Sequence, residues 1–588
     1  MHRLPLKSIF LSANPSPNVS RIWLALSLLL SAAYSLPVLR QTLQPGYLVA
    51  NDARQHLFWM RRFLDGDLFP QDLIADYFQS LAPPGYRAFY WSFAQLGLDP
   101  LAVARILPPI LALLTTALAF HLSLRLFPIP FAAFLASSLY LQNLWMRDDL
   151  VSATPRAFLS PLLLTVLYAI AARRPGLMLL ALLGLGGFYP PYLLVVAGVL
   201  LLLSLQGEFP WSWTGLGVGL IVLLLLPYLL QSSEFGPTVT LAQAQQLPEF
   251  QPRGRTAYFA EDWGRFWLWG GRTGLQPPLD PPLLCGALLL PVLLRRSPGP
   301  SANLGLLGAL LLSGLGLFFL AHDLAFRLHL PSRYTQHSLR VVFALGAAIA
   351  LVLLLQIIVD KSRVLCYATL GAMMAYLLVY PTSLGNYPRT NLIVGNHGAL
   401  YEFLQEQPRD IRIASLALEA NQLPTFSRRS LYVGYEYAIP FHRSYHQEMR
   451  RRATALIQAH YSPDAGELTQ FLTQEAIDFL VIERGAFEPD YLERSWWTRS
   501  YPDIAKAVEA QLHQGQVPAL AAGEIPCTRF DDGLFRVVEA ACLKRTFLRQ
   551  PSRRTLSQAG RGKQSWVATA LKTAHSEDNF DRKADLIL

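Results

Sequence analysis

The chain has 588 residues, of which 52% are hydrophobic and only 15% are charged, and its formal net charge is +10 at pH 7. Soluble domains carry about 25% charged residues, so this composition excludes an ordinary soluble protein for most of the length. The positive charge lies in short connections between apolar runs and near the C-terminus, which is typical of membrane orientation. We therefore expect contact with membrane lipids and no nucleic-acid partner.

Eleven apolar runs predict a polytopic α-helical membrane domain over residues 1–380. A helix perpendicular to the bilayer needs about 20 apolar residues, and several runs are shorter, so ten or twelve spans remain alternatives. We expect the first run to stay uncleaved, because apolar residues continue past its small-residue site. Two runs meet at Pro190 and Pro191, as two short helices or one broken helix. The runs are 22–39, 101–120, 131–146, 157–172, 177–188, 192–205, 214–230, 283–294, 304–320, 341–359 and 364–380.

Basic residues in the short connections predict how the chain is oriented. If the N-terminus is cytoplasmic, all inside connections except the one at Glu208 carry Arg or Lys, which is the positive-inside pattern. The basic residues are Arg125, Arg173, Arg174, Arg295, Arg296, Lys361 and Arg363. This orientation places the loops 40–100, 147–156, 231–282 and 321–338 outside, together with the C-terminal part. We expect a multi-pass protein of a bacterial inner or plasma membrane.

After residue 380 the composition becomes that of a soluble domain, and its periodicity predicts an extracytoplasmic α/β domain over residues 381–543. Strands are predicted at 411–416, 430–438 and 477–482, helices at 447–461 and 465–474, and a hairpin turn at Asp532 and Gly533. Cys527 and Cys542 either form a disulfide or stay free. The basic, aperiodic segment 544–588 predicts a disordered tail.

Asp52 opens the first outward loop, immediately after the first apolar run. A carboxylate at the end of a membrane helix is costly unless it is solvated, paired or used. On a helix starting there, His56 lies one turn later on the same face. Residues 57–64 predict an interfacial helix, from which Arg61 and Arg62 reach lipid phosphates. The alternative for Asp52 and its neighbour Arg54 is a solvated or paired interfacial position.

The second outward connection adds Arg147, Asp148, Asp149 and Arg156 at the same membrane face as Asp52. The arginines, or a divalent ion held by the aspartates, would neutralise a phosphate or pyrophosphate leaving group. A remaining carboxylate would take the proton of an attacking hydroxyl. The structural alternative is a polar turn with local ion pairs.

The loop 321–338 leads directly into an apolar run. Arg333, its neighbour Tyr334, and Arg340 are placed to meet a lipid-linked phosphate at the membrane surface. Snorkelling arginines at a helix end are the alternative. The nearby histidines do not have the spacing of a zinc site. The tryptophan-rich segment 261–271 indicates an interfacial aromatic belt.

This arrangement resembles the GT-C superfamily of membrane glycosyltransferases, which use polyprenyl-phosphate sugars. Asp52 is similar to the acidic residue that begins the first extracytoplasmic loop in that superfamily. Asp148 and Asp149 are similar to the acidic motif of the next outward loop. The layout of spans followed by an outward soluble domain also matches, whereas the sequon-reading motif of oligosaccharyltransferases has no close match.

The resemblance implies inverting transfer of a sugar from a polyprenyl-phosphate-linked donor to an extracytoplasmic glycan or lipid acceptor. Asp52 would be the base, and Asp148 and Asp149 would orient the acceptor or bind Mg²⁺ or Mn²⁺ if the reaction needs a metal. The predicted substrate-binding residues are Arg54, His56, Arg147, Arg156, Arg333, Tyr334 and Arg340.

The alternative function is a non-enzymatic polytopic protein, such as a lipid or glycan transporter or an assembly scaffold. Transporters built on internal repeats show matching broken helices in two halves, and only one clear break, at Pro190 and Pro191, is present here. The sequence also lacks a Walker A run, so ATP-driven transport by this chain is not expected.

Overall fold

The computed structural model describes residues 10–13, 16–230, 233–296 and 304–549. The chain forms two compact units, Met1–Lys544 and Arg545–Leu588, and the description below concerns the first. The predicted disordered tail falls outside the described residues from 550 onward. The first residues of the predicted tail, 544–549, are helical and not disordered, because the last helix runs over Ala540–Arg549.

All eleven predicted apolar runs are helical. Strand β1 (Tyr47–Ala50) follows the first helix, and the run 283–294 is divided between a 3-10 helix (Pro282–Leu289) and α12. The helices are α1 (Pro17–Thr42), α2 (Ala53–His56), α3 (Leu73–Leu81), α4 (Pro84–Ala94), α5 (Pro100–Leu126), α6 (Pro130–Trp145), α7 (Leu159–Ala171), α8 (Pro175–Phe188), α9 (Tyr192–Leu205), α10 (Trp211–Leu230), α11 (Leu241–Gln246), α12 (Leu290–Arg296), α13 (Gly305–Asp323), α14 (Ser332–Lys361) and α15 (Arg363–Ser383).

Within the described residues, six helices have the length and apolar composition needed to cross a membrane: α1, α5, α10, α13, α14 and α15. The other apolar helices are shorter, and α8 and α9 have 14 residues each. These two are separate helices on either side of Tyr189, Pro190 and Pro191, which is the first of the two alternatives. The chain is therefore a polytopic helical membrane protein, and the count of eleven spans stays a prediction.

Helix α6 lies at the centre of the helical part. All of its residues are buried, and it packs against α1, α5 and α14. Helix α14 in turn packs against α13 and the 3-10 helix Pro282–Leu289. This packing brings the loop that follows α6 beside the first turns of α14, where the candidate site lies.

The prediction of an interfacial helix at 57–64 is wrong. Leu57, Phe58 and Met60 are fully buried within the protein, in and next to a 3-10 helix, Phe58–Phe63. Arg61 and Arg62 do not reach towards lipid, because they pair with Asp99 and Asp76 at 2.8 and 2.7 Å. An apolar face shows that a segment is covered, but not whether lipid or protein covers it.

The C-terminal part contains a five-stranded sheet in the order β4-β3-β5-β7-β6. Strands β4, β3 and β5 are parallel, whereas β7 is antiparallel to both β5 and β6. Its strands, with β2 in a separate pair, are β2 (Leu392–Gly395), β3 (Arg412–Ala414), β4 (Ser430–Leu431), β5 (Phe479–Glu483), β6 (Thr528–Asp531) and β7 (Phe535–Glu539). Its helices are α16 (Gly398–Glu406), α17 (Leu423–Phe426), α18 (Arg443–Tyr461), α19 (Ala465–Gln474), α20 (Pro489–Arg494), α21 (Trp496–Ser500), α22 (Pro502–His513), α23 (Ala519–Cys527) and α24 (Ala540–Arg549).

Most of the predicted elements of this part are present. The helix at 465–474 and the hairpin are confirmed, and Gly533 adopts φ +90° in the turn. The strand predicted at 430–438 is too long, since β4 ends at Leu431 and a 3-10 helix follows at Tyr435–Tyr437. A short strand and a short helical turn cover so few positions that the spacing of apolar residues does not distinguish one from the other.

Cys527 and Cys542 form a disulfide with a Cα–Cα distance of 5.4 Å. The bond joins the end of α23 to α24, and a disulfide is typical of an oxidising compartment outside the cytoplasm.

We therefore expect an alkaline phosphatase reporter fused after Lys544 to be active, since this enzyme requires export to fold. The matched control is a fusion in the predicted cytoplasmic connection at Arg174, which should be inactive. Activity in the second fusion and not in the first would reverse the orientation and move Asp52 to the cytoplasmic side.

Candidate active site

Three carboxylates from two loops converge on one guanidinium group. Asp52 precedes α2, Asp148 and Asp149 follow α6, and Arg156 lies in the 3-10 helix Pro155–Phe158 at the start of α7. Arg156 Nη2 donates to Asp52 Oδ2 at 2.6 Å and lies 3.7 Å from Asp148 Oδ1. Its Nε lies 3.3 Å from Asp149 Oδ1. The structure thus brings the two acidic motifs together around Arg156.

A second arginine holds Asp149 from the other side. Arg340 Nη2 donates to Asp149 Oδ2 at 2.6 Å, and the two side chains are 1% and 2% exposed. Arg340 Nε also donates to Asn143 Oδ1 at 2.7 Å. Arg340 is therefore an internal partner of Asp149 and is not free to bind a lipid-linked phosphate, so that predicted role has no geometric support.

The arginines set the charge state of the aspartates. The protein around Asp52 raises its pKa, but the charges of Arg156, His56 and Arg333 outweigh this effect and hold the pKa below its ordinary value. Burial likewise raises the pKa of Asp149, and Arg340 and Arg156 lower it further than burial raises it. Both carboxylates are ionised at neutral pH.

Two more cations lie close enough to Asp52 to interact with it electrostatically. Among the described residues neither Arg333 nor Arg272 forms an ion pair; Arg333 Nη1 donates to Gln336 Oε1 at 3.2 Å, and Arg272 Nη1 donates to the Ala257 carbonyl at 3.3 Å. Burial and the nearby charges of Arg333 and Arg255 lower the pKa of Arg272 to about 10. Such cations are suited to binding a phosphate group. The sequence analysis missed Arg272, which lies far along the loop 231–282 with no local motif around it.

Some predicted residues lie outside this cluster or at its edge. Arg54 is buried and points to Glu436 at 3.4 Å, and Tyr334 is almost fully buried, so neither has support as a substrate ligand. Arg147 Nη1 donates to Gln276 Oε1 at 2.7 Å. His56 ends α2. Burial lowers the pKa of His56, and the nearby charge of Asp52 offsets only part of this effect.

Asn391 joins the C-terminal part to the site and was not predicted. Strand β1, which precedes Asp52, pairs with β2, and the Asn391 carbonyl next to β2 accepts from the backbone N–H of Asn51 at 3.1 Å. Asn391 Nδ2 also donates to Asp148 Oδ2 at 3.0 Å. No sequence signal marks Asn391, because its partners are hundreds of residues earlier in the chain.

The predicted metal ligands do not fit a divalent ion in this arrangement. In the described part of the chain, no three His, Cys, Asp or Glu side chains are grouped so that they could hold a metal ion. Arg156 and Arg340 face the two oxygens of Asp149, where a metal would have to bind. We therefore derive no step through Mg²⁺ or Mn²⁺.

The fold is similar to that of solved membrane proteins, although no protein-family model and no curated protein matches the sequence. The oligosaccharyltransferase AglB of Archaeoglobus fulgidus, solved with an inhibitory peptide and a dolichol-phosphate, superposes with a TM-score of 0.53 at 11% identity, over 83% of this chain and 72% of that one. Its structure with a tethered acceptor peptide gives a TM-score of 0.52 at 12% identity, over the same shares. ArnT from Cupriavidus metallidurans gives 0.45 at 15% identity, over 88% of this chain and 98% of that one.

The likeness to AglB covers both the helical part and the C-terminal part of this chain. The TM-scores of 0.52 and 0.53 show a shared fold, whereas identities of 11–12% leave the substrates open. The chain therefore has the fold of the AglB structures, which is a fold of the kind that the resemblance in sequence layout predicts.

Proposed function

We propose that this chain is an integral membrane glycosyltransferase that moves a sugar from a polyprenyl-phosphate-linked donor to an extracytoplasmic glycan or lipid acceptor. The observation that carries the proposal is the carboxylate of Asp52, which pairs with Arg156 at 2.6 Å, together with Arg333 and Arg272. These two arginines influence the site electrostatically and form no ion pair in the described structure. Their segments are joined where the backbone N–H of Ser332 donates to the Arg272 carbonyl at 3.1 Å. A base beside cations that can bind a phosphate group is what transfer from a sugar phosphate requires.

In the proposed reaction, an acceptor hydroxyl attacks the anomeric carbon of the donor sugar. Asp52 takes the hydroxyl proton as the new glycosidic bond forms, a role for which a carboxylate is well suited. The bond between the anomeric carbon and the phosphate oxygen breaks, and its electron pair leaves with the lipid phosphate. Arg333 and Arg272 stabilise the added negative charge on that phosphate. Attack opposite to the leaving group inverts the anomeric configuration.

The class of donor is supported by the AglB structure that contains a dolichol-phosphate. The same protein binds acceptor peptides, whereas this chain has no close match to a sequon-reading motif. A hydroxyl acceptor on a glycan or lipid is therefore the proposal for this chain.

The test uses the purified full chain in liposomes with a polyprenyl phosphate that carries a radiolabelled sugar. We expect label to move onto an acceptor extracted from the same membranes, and unlabelled polyprenyl phosphate to inhibit this transfer. Movement of intact labelled donor across the bilayer without cleavage of the sugar–phosphate bond would overturn the proposal in favour of a transporter.

Arg333→Ala should raise KM for the donor by about tenfold to a hundredfold, which corresponds to the loss of a hydrogen bond to a charged group, about 1.5–3 kcal/mol. The variant kcat should fall as well, because Arg333 also stabilises the charge that develops on the leaving phosphate. The matched control is Arg327→Ala, which removes an exposed cation from the same loop. Equal KM values for the two variants would contradict a donor contact at Arg333.

Asn391→Gly should lower kcat by about tenfold without unfolding the protein. Glycine tolerates the positive φ of 44° at this position, so the change removes only the amide that orients Asp148. The control is the same change at the exposed Asn396. An unchanged kcat in Asn391→Gly would show that Asp148 does not depend on the C-terminal part.

A further inference from the structure

We propose that Arg156 is a built-in cation of this site, which neutralises Asp52, Asp148 and Asp149 so that no divalent metal ion is needed there. The inference rests on the proposed function for the role of the site, and it adds which group neutralises the three carboxylates. Its central prediction is that removal of the guanidinium turns the same carboxylates into a site for a divalent cation.

The geometry assigns this role to one side chain. Asp52 Oδ2 and Asp148 Oδ1 face the same nitrogen, Arg156 Nη2, at 2.6 and 3.7 Å. Asp149 Oδ1 faces Nε at 3.3 Å. The three oxygens thus surround a single planar group that is 14% exposed. Mg²⁺ would need such oxygens at about 2.0–2.1 Å in near-octahedral geometry, and the guanidinium fills that space.

A buried oxygen atom provides an independent observation. Asp149 is 2% exposed, and its Oδ1 makes no hydrogen bond in the described structure, although it lies in ion-pair range of Arg156. Buried carboxylate oxygens are nearly always hydrogen-bonded or bound to a cation. This oxygen is turned towards Arg156 and depends on its charge, so it would be the first to seek another cation if Arg156 were removed.

The sum of the charges in the cluster also favours Arg156 over a divalent ion as the neutralising cation. Asp52, Asp148 and Asp149 carry three negative charges, and Arg156 and Arg340 return two within ion-pair distance. Arg333 lies close enough to influence Asp52, which brings the cluster near neutrality. A divalent ion would add two positive charges beside these arginines and would be repelled. Arginine keeps its proton at any working pH, so the charge is permanent.

The probe is Mn²⁺, titrated into the purified full chain in detergent and followed by the electron paramagnetic resonance signal of the free ion. No donor is present, so the result is separate from success or failure of sugar transfer. We expect the wild type and Arg105→Ala to bind no Mn²⁺ at micromolar concentration. Arg105 is the matched control because it donates to the Leu48 carbonyl at 2.7 Å, outside the cluster.

Arg156→Ala should bind one Mn²⁺ at least tenfold more tightly than the wild type, and addition of Asp52→Asn should abolish that gain. Arg156→Gln, which keeps most of the side-chain volume, is the second variant if Arg156→Ala is not monodisperse in size-exclusion chromatography. One tightly bound Mn²⁺ in the wild type that is lost in Asp148→Asn would overturn the proposal. Folded Arg156 variants that bind no Mn²⁺ would overturn it as well, and if neither variant folds, the wild-type titration decides.

Discussion

Replacing Asp52 by asparagine should lower kcat/KM for sugar transfer by about 10²- to 10⁴-fold, the usual contribution of a general base. Asparagine keeps the shape of the side chain and one acceptor oxygen for Arg156, which lies 2.6 Å from Asp52 Oδ2. The substitution therefore removes the proton acceptor with little change to the fold. The measurement is transfer of labelled sugar in liposomes, normalised to the amount of folded protein.

The matched control is Asp67→Asn, in the same outward loop. Asp67 is exposed and lies 3.4 Å from Arg409, in a surface ion pair remote from Arg156. Surface pairs of this kind contribute about 0–1 kcal/mol, so the control should keep full activity. Undiminished transfer by Asp52→Asn would remove Asp52 from the role of base and leave Asp148 as the carboxylate to test.

The pH dependence of transfer provides a second readout for Asp52. Its pKa is held below the ordinary value by Arg156, His56 and Arg333, and an unperturbed aspartate titrates at about 3.9. The base is therefore already ionised at neutral pH, and its loss of activity on acidification should occur only below about pH 4. A limb near pH 6 in the wild type that Asp52→Asn leaves in place would belong to another group.

Arg340→Ala should destabilise the protein by about 3–5 kcal/mol, the usual effect of breaking a buried ion pair. The pair joins α14 to the loop after α6, and Asp149 and Arg340 are 2% and 1% exposed. Without Arg340, the Asp149 carboxylate would stay buried beside Arg156 alone, and Asn143 would lose its donor. The measurement is the thermal unfolding temperature in detergent.

The double variant Asp149→Asn/Arg340→Met tests whether the loss of stability comes from the unpaired Asp149 charge or from the missing Arg340 side chain. It removes both charges and keeps similar volumes, so it should be more stable than Arg340→Ala, because no unpaired charge is left buried. The matched control is Arg327→Ala, an exposed arginine just before α14. If Arg340→Ala unfolds at the wild-type temperature, the pair is not a structural link between the two elements.

The burial of segments shows where sequence reasoning reached its limit. The apolar runs were assigned correctly to helices, but residues 57–64 were assigned to a lipid surface although Leu57, Phe58 and Met60 pack inside the protein. Hydrophobic patterning reports that a side chain leaves water and carries no information about the neighbour that replaces the water. Arg54 and Arg340 were predicted to bind substrate for a similar reason. Each is paired with a distant carboxylate that no local pattern identifies.

The polytopic membrane class, the apolar helices and the hairpin at Asp532 and Gly533 could be read from the amino-acid sequence, which also marked Asp52, Asp148 and Asp149 as candidate residues. These follow from composition, periodicity and charge, which are local properties. The packing of the chain revealed that Arg156 stands between the three carboxylates, that Arg272 lies within electrostatic reach of Asp52, and that Asn391 links the site to the C-terminal part. Those contacts join residues far apart in the chain, and they exist because α6 and α14 pack side by side and β1 pairs with β2.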